Sequence, residues 1–354
     1  MTEKIDGQIQ GEESQLDNIM AQMGVGENFR SGRIALVGRP NAGKSTLLNA
    51  LLESDIAATS PRPQTTRENL LGIIQLQNED GDWQGQLEVL DTPGLNFKRG
   101  LLDRRMHQEV EEALQDVDTL VWVADCRSIL NDIHEMEMDK VSEDRVSAWL
   151  SQKLSQIDGP SKTWVLALTK VDLLAKNKLL PMIEKISHAC PQFAHIVPVA
   201  ALKGRKHVGS NLDALLGVLH DAAPLNQPSY DREEWTDTNE RKLLRNLVLE
   251  AIFRQSRKEV PYNCDVSIED FIAPVAPKTK SEVRANIWVS RKSLKPILVG
   301  QGGQRIKEIG TSARHRFKEV TGEDIVLKLF VKVVEKWERR PQKLDELGYG
   351  RKNA

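Results

Sequence analysis

The chain has 354 residues, 40% apolar and 28% charged, a balance that fits a soluble globular protein long enough for two cores and excludes a fibrous or fully disordered class. Its net charge of −2 hides an asymmetry: residues 1–227 hold 23 basic against 32 acidic side chains (net −9), and residues 228–354 hold 26 against 19 (net +7). The C-terminal part is therefore the candidate to meet a polyanion, and no apolar run approaches the roughly 20 residues of a membrane span.

Residues 1–31 are acidic, Gln-rich and poor in large apolar side chains, so a flexible extension is expected there, without an apolar signal core. From Arg33 the order is strand, glycine loop, helix: RIALVG, RPNAG, KSTLLNALLES. Further strands are expected at Gly85–Asp91, Thr119–Asp125, Thr163–Asp172 and His195–Ala201, with helices such as LLDRRMHQEVEEALQDV and NLDALLGVLHDA between them. Apolar strands alternating with helices predict an α/β domain over 32–222, a mostly parallel sheet with helices on both faces. Ligands of such sheets bind at the C-terminal strand ends. The two-proline stretch 223–235 reads as a linker. Residues 236–350 follow the order α-β-β-α-α-β, with helices expected near Thr238–Lys258 and Gly303–Val320, and predict an α+β domain.

The motifs that carry chemistry begin with Gly38-Arg39-Pro40-Asn41-Ala42-Gly43-Lys44-Ser45, followed by Thr46, which fits G-x-x-x-x-G-K-[ST] between a strand and a helix. Gly38 and Gly43 let successive N–H groups curl around a phosphate at the positive end of the helix dipole. Lys44 would reach the β and γ phosphates, and Ser45 would hold Mg²⁺. Asp91-Thr92-Pro93-Gly94 follows a strand; Asp91 can hold Mg²⁺ through water, and the Gly94 N–H can sense a γ-phosphate. Thr169-Lys170-Val171-Asp172 also ends a strand, where the Asp172 carboxylate can accept from N1–H and N2 of guanine and the Lys170 stem can lie over the base. Ala200 and Ala201 stand where a backbone N–H would meet guanine O6. Between these motifs, Thr66, or alternatively Thr65, would complete the Mg²⁺ shell only while a γ-phosphate is present. GTP, GDP and Mg²⁺ are thus the expected ligands. An ATPase on the same loop is the competing enzyme class, to be separated by competition of ATP against GTP.

Leu95 follows this DTPG where many GTPases place a water-orienting Gln, so hydrolysis must be slow or draw on another group. Asn41 is the candidate: in related GTPases an Asn at this position helps to bind a monovalent cation such as K⁺ near the β–γ bridge, while here it could also only shape its loop.

In the second half, Gly300-Gln301-Gly302-Gly303 matches G-x-x-G, which clamps about four nucleotides of single-stranded backbone between two short helices. From Arg291 to Lys318 there are eight basic residues, including Arg305, Lys307, Arg314 and Arg316, against one acid, Glu308. Ile297, Leu298, Val299 and Ile306 are candidates for a groove floor or for core. The three scattered cysteines, Cys126, Cys190 and Cys264, argue against a disulfide framework or zinc site and for a reducing cytoplasm. His188, His195 and His207 form no metal spacing, and the seven tryptophans read as core or anchors.

With these landmarks, GRPNAGKSTLLNALL, QTTRENLLGI, DTPGL, KVD and IVPVAALKG, followed by EVPYNCDVSIEDF, IKEIG and LDELGYG, the chain resembles the Era family of bacterial GTPases over about residues 32–350. The first part resembles a translation-factor-class GTPase domain and the second a type II KH domain. The resemblance implies a GTPase that binds the 3′ end of small-subunit (16S) ribosomal RNA and assists assembly of the 30S subunit, with peripheral association at the inner membrane. The alternative is a GTPase whose basic C-terminal domain faces a membrane or a protein partner. The chain departs from the family in Thr169 for Asn, Ala200 for Ser, the extension at 1–31 and a long segment near 129–159.

Overall fold

The computed structural model describes residues 26, 28–60, 62, 65–96, 100–129, 148–150, 152–153, 162–256, 259–274 and 279–349. The expectations for most of the extension, for most of 129–159 and for the end of the first KH helix therefore fall outside the described residues.

Six strands form the first sheet: β1 (Arg30–Val37), β2 (Leu70–Gln77), β3 (Trp83–Asp91), β4 (Thr119–Asp125), β5 (Thr163–Thr169) and β6 (His195–Pro198), in the order β2-β3-β1-β4-β5-β6. All neighbours run parallel except β2, which pairs antiparallel with β3. β1 starts at Arg30, inside the expected extension, and its apolar residues feed both faces. Ile34 and Leu36 pack with helices α1 (Lys44–Leu52) and α4 (Leu212–Ala222). Ala35 and Val37 pack with α2 (Leu101–Ala113) and α3 (Lys176–Ala189). A strand buried on both sides reads as a continuous apolar run because neither face meets water. The register aligns the working ends: Leu36 lies beside Asp91, Val37 beside Trp122, and Asp125 beside Thr169.

The stretch read as a linker is strapped to this sheet. The Gln86 side chain accepts from the Ser229 and Tyr230 N–H groups and donates to the Tyr230 carbonyl, while Ile73 N–H donates to Trp235 O. Gln86 and Glu88 look out of place in a buried strand, and these partners explain Gln86.

The second unit starts with α5 (Glu240–Gln255), which begins after the expected Thr238 because the Asn239 side chain caps it by accepting from Lys242 N–H at 2.9 Å, and which stops where Ser256 turns extended. β7 (Cys264–Ile272) pairs antiparallel with β8 (Ser281–Val289), and β9 (Ile325–Val333) runs parallel to β8. Two helices, α6 (Leu294–Val299) and α7 (Gln304–Thr321), lie between β8 and β9, giving the α-β-β-α-α-β order; a short α8 (Pro341–Glu346) follows. Leu247, Val266, Ile287, Ile309 and Phe317 sit in its core. All three cysteines are free and buried, and the tryptophans are buried or half-buried.

The two units share a charged, buried contact. Arg67 donates to Asp265 at 2.8 Å and to the Cys264 and Pro261 carbonyls, and its guanidinium lies 5.5 Å from the Phe253 ring centre. Arg245 pairs with both Asp265 and Glu68, and the Tyr349 hydroxyl donates to Asp265 at 2.6 Å. Burial alone would push Asp265 up, but Arg245, Arg67 and Tyr349 hold it below the usual carboxylate range. Two arginines on one carboxylate satisfy charges that would be costly alone in so dry a place.

Candidate functional site

The end of β1 feeds a loop that leaves no room for a side chain at its start: a Cβ on Gly38 would stand 2.2 Å from the Val123 carbonyl. Asn41 and Gly43 take positive φ (62° and 103°), which turns the loop back on itself before α1 begins at Lys44. The loop walls a cleft of about 760 Å³ lined by all of Arg39–Thr46 and by Thr66, Gly94 and Lys170. Lys44 is buried and its Nζ donates to the Gly38 and Arg39 carbonyls at 3.2 Å, so the ammonium waits inside the loop. Burial pushes it down to about 8, although Asp91 pulls the other way.

Three oxygens from distant segments meet beside it. Ser45 Oγ is 2.5 Å from Asp91 Oδ2 and 2.8 Å from Thr66 Oγ1, and Thr66 Oγ1 donates to Asp91 Oδ2 at 3.2 Å. Asp91 is fully buried, and its Oδ1 has no hydrogen-bond partner among the described residues. Burial raises Asp91 against the opposing effects of Lys44, Ser45 and Thr66. Two hydroxyls and a carboxylate with an unspent oxygen are hard donors that fit Mg²⁺. Thr65, the other candidate, instead donates to the Arg62 carbonyl at 3.2 Å.

The remaining predicted residues divide by role. Thr92 and Pro93 are buried beneath the cleft, with Thr92 Oγ1 donating to Leu36 O at 2.7 Å. Leu95 is only 2% exposed and its N–H donates to Gly38 O at 3.0 Å, so its side chain belongs to the core and orients no water. The Thr169 hydroxyl lies 2.5 Å from Ala42 O and 3.1 Å from Ala124 O, tying the phosphate loop to β4 in place of an amide. Lys170, in left-handed conformation at φ 60°, donates to Asn41 O (2.7 Å) and Asp125 (2.9 Å). Val171 packs half-buried on the core, and Asp172 is exposed and is not among the residues that line the cleft. Ala200 and Ala201 are buried, the former donating its N–H to Ser210 O.

The cleft also contains residues no motif announced. Asp125 accepts from Arg127 and Lys170; burial works to raise it, yet those donors hold it well below the carboxylate range. Thr59, Ser60, Arg62 and the exposed Leu202 line the cleft, as does Arg254 from α5 of the second unit. A strand-end Asp in WVAD was a signal for Asp125; nothing local marks Arg254.

The second loop is of another kind. Gly302 and Gly303 take positive φ (59° and 81°), and a Cβ on either would meet nothing within 4 Å, so the protein itself leaves both glycines open to the outside. Backbone conformation, rather than crowding within the protein, requires glycine there. Lys307 and Arg314 are exposed, and Arg305 is half-buried with Nη1 on the Ile297 carbonyl at 3.0 Å. Arg316, counted in the basic run, is engaged by Asp55 of the first unit at 2.7 Å. Leu298 is core, Val299 and Ile306 pack against it, and Ile297 is 42% exposed.

A parallel sheet with a phosphate loop, a buried lysine and a Ser-Thr-Asp oxygen cluster, joined to a KH unit with an open GxxG turn, defines a P-loop GTPase coupled to an RNA-binding-type domain. Residues 33–157 match the family described as 50S ribosome-binding GTPase, and residues 259–338 match the KH domain family. The chain is 34% identical over 321 residues to GTPase Era of Mycobacterium bovis and 33% identical to that of Mycolicibacterium smegmatis, in each case covering 91% of this chain and 99% of the relative. It is similar to a solved structure of Era in complex with MgGDPNP and nucleotides 1506–1542 of 16S ribosomal RNA (31% identity, TM-score 0.79, 91% of this chain and 99% of that one). It is also similar to Aquifex aeolicus Era bound to GDP and AlF4⁻ (31%, TM-score 0.78). The chain belongs to the Era family of GTPases.

Proposed function

We propose that this GTPase binds the 3′ end of 16S ribosomal RNA through its second glycine loop and assists 30S subunit maturation, with GTP occupancy of the first loop as the switch. The observation that carries this is the G-x-x-G turn, open at Gly302 and Gly303 and followed by exposed Lys307 in the first turn of α7, in a chain aligned over 91% of its length with an Era structure that holds a 16S fragment. The family description for 33–157 names the 50S subunit, but that match covers the first unit only. The RNA in the full-length structural relative speaks for the small subunit. On this reading 32–222 is the switch unit and 236–350 the RNA unit.

In the first cleft, the Gly38–Thr46 backbone and Lys44 would hold the β and γ phosphates, and Ser45, Thr66 and Asp91 would hold Mg²⁺, which would supply positive charge to the phosphate oxygens. Gly94 N–H and Thr66 register the γ-phosphate, Lys170 and Asp172 take the guanine, and the Ala200–Ala201 turn closes over its O6. With Leu95 buried, Asn41 would help to hold K⁺, which would supply positive charge to the phosphates in place of a water-orienting side chain. Turnover at saturating GTP is expected to be several-fold faster in potassium than in sodium; equal rates remove Asn41 from the mechanism.

The test of the RNA assignment is a gel shift with a fragment ending at the 16S 3′ terminus, run with a non-hydrolysable GTP analogue and with GDP. A vesicle of anionic lipid at the same salt serves as the rival polyanion for the basic unit. Binding to the RNA that depends on nucleotide state is expected. Binding to vesicles alone would refute the RNA reading.

A further inference from the structure

From these contacts we infer that Arg254, at the last turn of α5 in the RNA unit, is a positioning residue of the nucleotide cleft in the switch unit, rigidifying the loop that carries Thr66. The inference rests on the GTPase reading and adds to it a residue from the other unit. Arg254 lines the cleft, and its side chain is 51% exposed. Its Nε donates to the Thr59 carbonyl at 3.1 Å and its Nη2 to Thr59 Oγ1 at 2.9 Å. Glu250, one turn earlier and only 3% exposed, holds the same guanidinium at 2.7 Å and accepts from Thr59 Oγ1 at 3.3 Å. Arginine, glutamate and threonine thus close a ring across the two units. The neighbouring Phe253 carbonyl accepts from Arg62 at 2.6 Å, so the last turn of α5 grips the loop at two points.

The grip matters for the nucleotide because the same loop runs on to Thr66, whose hydroxyl stands at the Ser45–Asp91 cluster. Holding Thr59 and Arg62 in place removes conformational freedom that Thr66 would otherwise lose on meeting a γ-phosphate. A diphosphate does not call on Thr66 and gains little. The grip therefore favours GTP over GDP, and anything that shifts the RNA unit off the loop weakens GTP binding by the same factor with which GTP favours the docked arrangement.

The test uses the full chain and fluorescent analogues of GDP and of non-hydrolysable GTP. Arg254→Ala is expected to weaken the triphosphate analogue about tenfold, the order expected for lost charge-assisted hydrogen bonds, while GDP affinity changes less than about twofold. Arg254→Lys, which keeps one donor for the Thr59 carbonyl, should recover part of the loss. Thr59→Val changes only the switch unit and should show a smaller loss of the same selectivity, and its effect should shrink in the Arg254→Ala background. Unchanged triphosphate affinity in Arg254→Ala, equal losses for both nucleotides, or strict additivity with Thr59→Val would each overturn the inference. A wild-type chain that binds neither guanine nucleotide would instead refute the GTPase site itself.

Discussion

The two glycine loops both precede a helix and both attract phosphate, but they are built for different partners. Around Gly38–Thr46 the protein closes in: the Val123 carbonyl crowds Gly38, Thr169 straps Ala42, Lys170 straps Asn41, and Lys44 is buried among carbonyls. Around Gly302 and Gly303 it opens out: both face empty space, and Lys307 in the next turn lies on the surface. A terminal triphosphate can be surrounded, so its loop is rigid, dry and braced from several strands. A polynucleotide enters and leaves along its length, so its loop must remain a ledge. A pocket lysine is therefore exposed to desolvation, whereas the ledge works through screened surface charge.

The contrast breaks most sharply if the ledge can be charged without penalty. Gln301→Asp with Gly302→Asp places two negative charges on the proposed backbone path, and RNA binding should fall by at least about a hundredfold, below detection in a gel shift. GTP binding should be unchanged. A folded double variant with normal RNA affinity would show that the loop is not the RNA site.

The dry loop makes a second, smaller claim through Lys44. Burial brings the free ammonium down to about 8 from 10.5. The folded value lies below the unfolded one, so the ligand-free fold carries the cost of a buried charge below pH 8 and is relieved of it as pH rises from there toward 10.5. A bound triphosphate needs the ammonium. Its affinity should drop up to about tenfold per pH unit above 8, with proton uptake on binding measurable by calorimetry in buffers of different ionisation enthalpy. A flat affinity from pH 7 to 9.5 would contradict the buried ammonium.

The mildest test concerns a single surface cation. Lys307→Ala should weaken RNA binding only a few-fold and lower the slope of log affinity against log salt by about 0.7, the share of one phosphate contact on a single strand. A loss approaching that of the double aspartate variant would mean that Lys307 is built into the site more tightly than its exposure indicates.

Much of this was legible in the residues taken alone. The phosphate loop, the DTPG aspartate, the TKVD turn and the GxxG turn are each a few consecutive residues whose backbone geometry follows from glycine, threonine and their neighbours, so local sequence determines them. The parallel sheet was legible for the same reason: its inner strands are continuous apolar runs. β2, LLGIIQLQ, is not among the expected strands; it pairs antiparallel with β3, the one departure from the parallel order. The Gln86 bonds that strap down the two-proline stretch depend on residues more than 140 positions away.

What only the tertiary structure decided are the partnerships between units. Arg67, next to Thr66 in the chain, is buried against Asp265 and Phe253. Arg316, counted in the basic run, is taken by Asp55, and Arg254 reaches the nucleotide cleft from the other unit. No sequence pattern encodes these, because an arginine's partner is set by which surfaces come to face each other. Here that is the meeting of α5 and α7 with Asp55, Thr59 and Arg67 of the first unit, whose pairs exist only once both units have folded.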